Sequence, residues 1–243
     1  TGLRYLRMLP LVLRFRGKLT KSLFGNSTLD DPYGITSQDL KIALRGCLTA
    51  NPLLAPHAMP LLLEKLSATG GAAKRDTLET LKDALPIYGR AATQAHQSSL
   101  WENLKIEILH ATDRETAQAA QDTLVSMLAV LYTIPEPVDP PAGLAPKIMA
   151  EMLKELESPE KVLAAPAASI VACLVTAGAS TAYLAVYGAL ERVLELFKDP
   201  EEISQRAPIL SHISAIVKAM RSVYEDQAGD SLAKPNGIAK AVK

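Results

Sequence analysis

The sequence predicts an all-α chain, and three observations predict it. Apolar residues recur at the spacing of one helical face from Thr36 to Tyr224. Helix-start and helix-stop residues punctuate those stripes at regular intervals. No run of alternating β-branched residues competes with them anywhere in the chain. The composition agrees: of 243 residues, 48% are hydrophobic, 21% charged and only 5% aromatic. So few aromatic residues disfavour a β-sandwich or a surface that stacks nucleotide bases, since both lean on Tyr, Trp and Phe.

Thr36 and Asp39 read as a capping box, with the stripe Leu40, Ala43, Leu44, Cys47 and Leu48 behind them. Asn51-Pro52 ends that helix, and an apolar stretch from Ala58 through Met59, Leu61, Leu62, Leu63 and Leu66 forms its partner, with Leu63 placed inside. The same two-helix unit then recurs. Leu78, Leu81, Leu85 and Tyr88 mark one face, closed by Gly89; Trp101, Leu104 and Ile108 mark the next, with Trp101 as a core anchor. Thr112 and Glu115 read as a second capping box, ahead of Ala117, Ala120, Leu124, Met127, Leu128 and Leu131. A proline-rich loop over 134–143 leads to Ile148, Met149, Met152, Leu153 and Leu156. Ser158-Pro159 reads as a start with proline at the first helical position. Its partner carries Tyr183, Val186, Tyr187, Leu190, Val193, Leu194 and Phe197. Asp199-Pro200-Glu201-Glu202 reads as a third start, and Ile209, Ile213, Ile216, Val217, Met220 and Tyr224 line the last helix.

First helices begin near 37, 72, 113, 159 and 201, in steps of 35, 41, 46 and 42 residues. A drifting period of about forty residues, two helices each, is the signature of HEAT or armadillo stacking. The expectation is an α-solenoid of about four and a half repeats over residues 30–224, followed by a polar tail or linker over 225–243. A half repeat at the end reads as one domain of a longer protein. Residues 162–190 carry no charge, but Pro166 and a turn at Thr176–Ser180 split them into two helices too short to cross a bilayer.

Net charge is zero and uneven. Residues 1–29 hold six basic residues and no acid, leaving −6 on the remainder. That segment reads as lying outside the folded domain, poorly ordered or non-native, with a presequence-like address as the alternative. Beyond it, basic and acidic residues interleave as on a solvated face, so no direct nucleic-acid binding is expected. Cys47 and Cys173 cannot form a disulfide framework or a metal site unaided, and both sit in apolar stripes, where an inert buried thiol is expected. The chain reads as intracellular. Gly70-Gly71 is a connector rather than a phosphate cradle, and no nucleophile elbow or dinucleotide fingerprint occurs. His57, His96, His110 and His212 are far apart. No catalytic, cofactor-binding or metal-ligating residue is assigned, and the chain does not read as an enzyme.

Residues 31–101 carry a resemblance. Asp31-Pro32-Tyr33-Gly34-Ile35-Thr36, Ala43-Leu44-Arg45, Asn51-Pro52, the stretch Pro60–Leu66, the stretch Ala73–Leu81, Tyr88-Gly89 and Leu100-Trp101 follow in order. Together they resemble the N-terminal domain of the methyl-methanesulfonate-sensitivity DNA repair and transcription scaffold family. Leu196-Phe197-Lys198-Asp199-Pro200-Glu201-Glu202-Ile203 resembles a later part of that domain in fungal-type members. The basic residues 1–29 depart from the aromatic, proline-rich lead-in usual in the family. The resemblance implies a HEAT-repeat adaptor of the cytosolic iron–sulfur targeting complex, in cytoplasm and nucleus. Its implied partners are iron–sulfur assembly subunits and apo-proteins of DNA replication, repair and transcription, with no membrane or small-molecule substrate. No contact residue carries over, because no short motif marks one. The alternative from another class is a helical-repeat trafficking or membrane-associated protein, organellar in location.

Overall fold

The computed structural model describes residues 36–133 and 143–233. The expectations for residues 1–29, for most of the proline-rich loop and for the side chain of Tyr224 lie outside them. Nine helices follow one another among the described residues, with no strand: α1 (Ser37–Leu48), α2 (Ala55–Ala68), α3 (Gly71–Leu109), α4 (Arg114–Leu131), α5 (Leu144–Leu156), α6 (Ala164–Ala177), α7 (Ala179–Ala185), α8 (Glu191–Lys198) and α9 (Arg206–Ala233). A π turn over Val186–Leu190 joins α7 to α8. α9 runs on to Ala233, into the stretch read as a tail.

α3 is two helices in one. At Gly89 the backbone leaves helical geometry (φ 76°, ψ 176°), a region that side chains with a Cβ rarely enter. Gly89 therefore closes one arm, but the next arm begins at once. The two arms supply both helices of the second repeat. First helices α1, α3 (its first arm), α4, α6 and α9 contact one another in sequence, and α2, the second arm of α3, α5 and α7–α8 stack behind them. This two-layer helical repeat stack is the predicted solenoid.

The core follows the predicted stripes in the middle of the chain. Leu78, Leu81, Leu85, Trp101, Leu104, Leu124, Met127, Leu128 and Ile148 are fully buried. Proline placement is also orderly: Pro146, Pro166 and Pro208 each occupy the third position of α5, α6 and α9, where a helix has no partner for the N–H that proline lacks. Pro86 sits inside α3 instead, and frees the carbonyl of Lys82. Ser126 Oγ on α4 donates to that carbonyl at 2.9 Å, and Thr123 Oγ1 donates to the Leu78 carbonyl at 3.0 Å. A break in one helix thus becomes a fastening to the next.

The structure corrects several expectations. The cap of α4 is Asp113, which accepts from the Thr116 amide at 2.7 Å, and not Thr112. α6 starts at Ala164 rather than Pro159, because residues 158–163 form turns and Pro166 supplies the first-turn proline. The last helix is introduced by Glu202 and Gln205 in a reciprocal cap, whereas Asp199 closes α8. Leu63 is only half-buried, since Met59, Leu62 and Leu66 take the inward positions of α2. Cys47 is exposed, and Leu40, Leu44 and Leu48 are half-buried, because the described residues cover α1 on one side only. On α7–α8 the buried face is Thr181, Ala185, Ala189 and Val193, with Tyr183 and Tyr187 turned outward.

Candidate protein-binding groove

The first-helix layer carries a continuous groove made of two adjoining hollows of about 440 and 470 Å³. Lys82, Gln118 and Asp122 line both. The polar hollow lies over α1, α3 and α4, between Arg45, Glu79, Asp83, Arg114 and Glu115. The other runs from α4 to α6 and α9, where Val125, Ala172, Cys173, Thr176 and Ala215 give it a small-residue apolar floor.

Helical register places each of these groups. Arg45 on α1 reaches Glu79 and Asp83, one turn apart on α3, and Lys41 meets Asp76 at 2.7 Å. Lys82 reaches Asp122 on α4 at 3.2 Å, and Gln118 one turn earlier donates to the same carboxylate at 2.9 Å. Arg75 pairs with Asp113 and Glu115 at 3.5 and 3.3 Å. Two hydrogen bonds from Thr116, helped by Arg75, hold the Asp113 carboxyl below the usual carboxylate range. The charges of the groove are thus largely spent on each other; among the described residues Arg114 and the Gln121 amide remain open to a ligand.

Burial pushes the Cys173 thiol up to about 12, so it is a neutral, unreactive wall of the apolar hollow. The reading of Cys173 as a buried thiol is borne out; that of Cys47 is not. Trp101 is the expected core anchor, with its indole N–H unpaired among the described residues and Lys105 Nζ 5.9 Å over the ring. Lys105 is held charged by Glu151, at 3.0 Å on α5, and by Glu102. The four histidines fall on α2, α3, the end of α3 and α9, and only His212 is buried. Among the described residues no three His, Cys, Asp or Glu side chains form a group able to hold a metal ion, and no helix is long and apolar enough to cross a membrane. What the groove offers is shape, hydrogen bonds and a little apolar area, which is the chemistry of binding a protein segment.

Sequence reading misses the groove because its residues are ordinary surface residues of several different helices. Only the i, i+4 recurrence of Gln118 with Asp122 and of Glu79 with Asp83 hints at a shared edge.

Residues 25–110 match the family described as Dos2-interacting transcription regulator of RNA-Pol-II, in its N-terminal part. The resemblance is to the N-terminal region of the MMS19 proteins. The mouse MMS19 nucleotide excision repair protein homolog is 29% identical over 202 residues, 82% of this chain and 20% of that protein. The Saccharomyces cerevisiae DNA repair/transcription protein MMS19 is 42% identical over 96 residues, 40% of this chain and 9% of its own. The Arabidopsis thaliana MMS19 homolog is 41% identical over 78 residues, 32% of this chain and 7% of that one. The matched part therefore spans about one fifth of the length of the mouse relative. The family match covers α1, α2, α3 and the approach to them; the polar hollow rests on α1 and α3 from that region.

Proposed function

We propose that this chain is a non-enzymatic protein-binding scaffold domain of DNA repair and transcription. In this reading it helps present the cytosolic iron–sulfur assembly machinery to apo-proteins of DNA replication, repair and transcription, in cytosol and nucleus. The observation that carries it is the groove over the first-helix layer of an MMS19-like helical stack. Stacked repeats offer an extended surface, and ligands spread along it gain affinity from several repeats at once.

Binding needs no chemistry beyond complementarity. The self-neutralised ion pairs of the polar hollow repel neither acidic nor basic clients, while Arg114 and Gln121 supply hydrogen bonds to a peptide main chain. The apolar hollow over Ala172 and Ala215 accepts a small hydrophobic side chain and excludes water around it. Selectivity then lies in where a client carries that side chain relative to its polar groups.

Purified chain immobilised on a sensor should capture apo forms of iron–sulfur DNA helicases or subunits of the assembly machinery. Ala172→Arg, which fills the apolar hollow, should abolish capture while leaving the far-ultraviolet circular dichroism unchanged. Equal capture by both forms would remove the groove from the mechanism; capture of neither clients nor assembly subunits would overturn the functional reading itself. Fractionation supplies a second check, with recovery from an organelle pellet counting against it.

A further inference from the structure

The layer behind the groove carries a different surface. Tyr183, Tyr187, Glu191 and Glu195 recur at four-residue spacing along α7, the π turn and α8, and all four are exposed. The two tyrosines are 54% and 63% exposed, with ring centroids 4.3 Å apart and planes tilted by 39°. Scattered exposed aromatics are ordinary on a protein surface, but a contacting pair is a platform. The opposite face of the same helix is alanine: Ala185 and Ala189 make the inward contacts, so the tyrosines are not needed for packing. The π turn over Val186–Leu190 lies within the platform, and such turns occur frequently at functional sites.

The electrostatics name the occupant. Residues 150–202 hold nine acidic and four basic side chains. Arg192 alone serves two carboxylates, Glu157 at 3.7 Å and Glu195 at 3.1 Å, and Glu191 has no ion-pair partner among the described residues. We propose that this stripe docks an arginine-bearing segment of a partner protein. A guanidinium lies over the exposed tyrosine rings while its N–H fork meets Glu191, the carboxylate that Arg192 leaves free, a combination a planar cation satisfies and an ammonium does not. The molecule already shows half of that contact nearby, where the Arg206 guanidinium lies 5.8 Å over the Phe197 ring of α8. A polyanion is disfavoured by the same carboxylates. The inference stands apart from the groove, which lies on the other helix layer.

The test uses the intact chain and a fluorescein-labelled peptide of repeated Gly-Arg-Leu, with lysine and glutamate counterparts, read by fluorescence anisotropy. The arginine peptide should bind, the lysine peptide more weakly, and the glutamate peptide not at all. Tyr183→Ala with Tyr187→Ala should weaken the arginine peptide by about tenfold, the scale of a partly desolvated cation–π contact. Replacing both tyrosines by Phe should preserve binding, and Glu191→Lys should lower it. Ala172→Arg should change nothing here, which separates this surface from the groove. All variants alter exposed or groove-facing side chains, and circular dichroism verifies that they fold. Unchanged affinity in the Tyr-to-Ala variant, equal binding of the arginine and glutamate peptides, or no binding of the arginine peptide would each overturn the proposal.

Discussion

From α1 to α4 neighbouring repeats are tied by charge: Lys41 to Asp76, Arg45 to Glu79, Arg75 to Asp113 and Lys82 to Asp122, with Lys105 to Glu151 continuing the pattern into α5. From α5 to α9 the corresponding seams are lined by Ala145, Ala164, Ala167, Ala168, Ala185 and Ala189, and Arg192 with Glu157 bridges helices there. Large side chains fill the first half and leave polar edges that need neutralising. Small buried ones line the second half, where Arg192 with Glu157 is the ion pair between helices that the described residues show. Two ways of building one repeat follow, one whose register is set by ion pairs and one whose register is set by steric fit.

That contrast predicts opposite mutational sensitivities. The largest loss is expected for Trp101→Ala, about 3–5 kcal/mol, because a fully buried indole leaves a cavity in the large-residue half. In the small-residue half the damaging change is enlargement: Ala168→Leu should cost about 1–3 kcal/mol through overpacking. Urea denaturation of both variants checks this. A neutral Ala168→Leu would mean that the alanine seam has slack, and the comparison would fail.

Gly89→Ala should come next, at about 1–3 kcal/mol. A Cβ there meets no atom within 4 Å, so the whole loss is backbone strain at φ 76°. Thermal melting of the variant, against Gly46→Ala in the regular helix α1 as reference, measures it.

Legibility divides along the same seam. Leu78, Leu81, Leu85 and Leu124 announce their helices and their inward faces, because large aliphatic residues at helical spacing have few other uses. Tyr183 and Tyr187 mislead because their size suggests burial, whereas Ala185 of α7 and Ala189 of the π turn take the inward positions. Ser158-Pro159 and Asp199-Pro200 look like starts because proline suits any first turn, and Pro166 and Pro208 compete for the same role. Cys47 sits on a true apolar stripe, but a stripe says nothing about whether a neighbour arrives to cover it. The groove is illegible since it is a property of juxtaposed helices.

A cap distinguishes the sequence reading from the structural one directly. Asp113→Ala should lower Tm by about 2–4 °C, while Thr112→Ala should leave it unchanged. The Asp113 carboxyl is held below its ordinary value of 3.8 by Thr116. Its contribution is therefore present above pH 3.8 and is lost as pH falls through the lower folded value. Differential scanning calorimetry across that range should show the wild type converging on the variant.

The smallest effects belong to the charge ladder. Exposed pairs are worth about 0–1 kcal/mol each, so Arg45→Met and Lys82→Met should each lie within that range at low salt. Added salt should shrink both losses, because the Debye length falls to about 3 Å at 1 M, while leaving the cost of Ala168→Leu unaltered. Lys105 differs from the others in resting on Trp101 as well as on Glu151 and Glu102. The Glu151 hydrogen bond raises its folded value above the ordinary 10.5. A raised lysine stabilises fully below 10.5 and loses that contribution as pH rises through the folded value, so alkaline titration should narrow the gap between wild type and Lys105→Met. The aliphatic stem of Met keeps the contact with the indole, and the variant therefore isolates the charge. If Arg45→Met and Lys82→Met kept their full cost in high salt, side-chain packing rather than charge would be setting the register of the first half, and the two halves of the stack would be built alike.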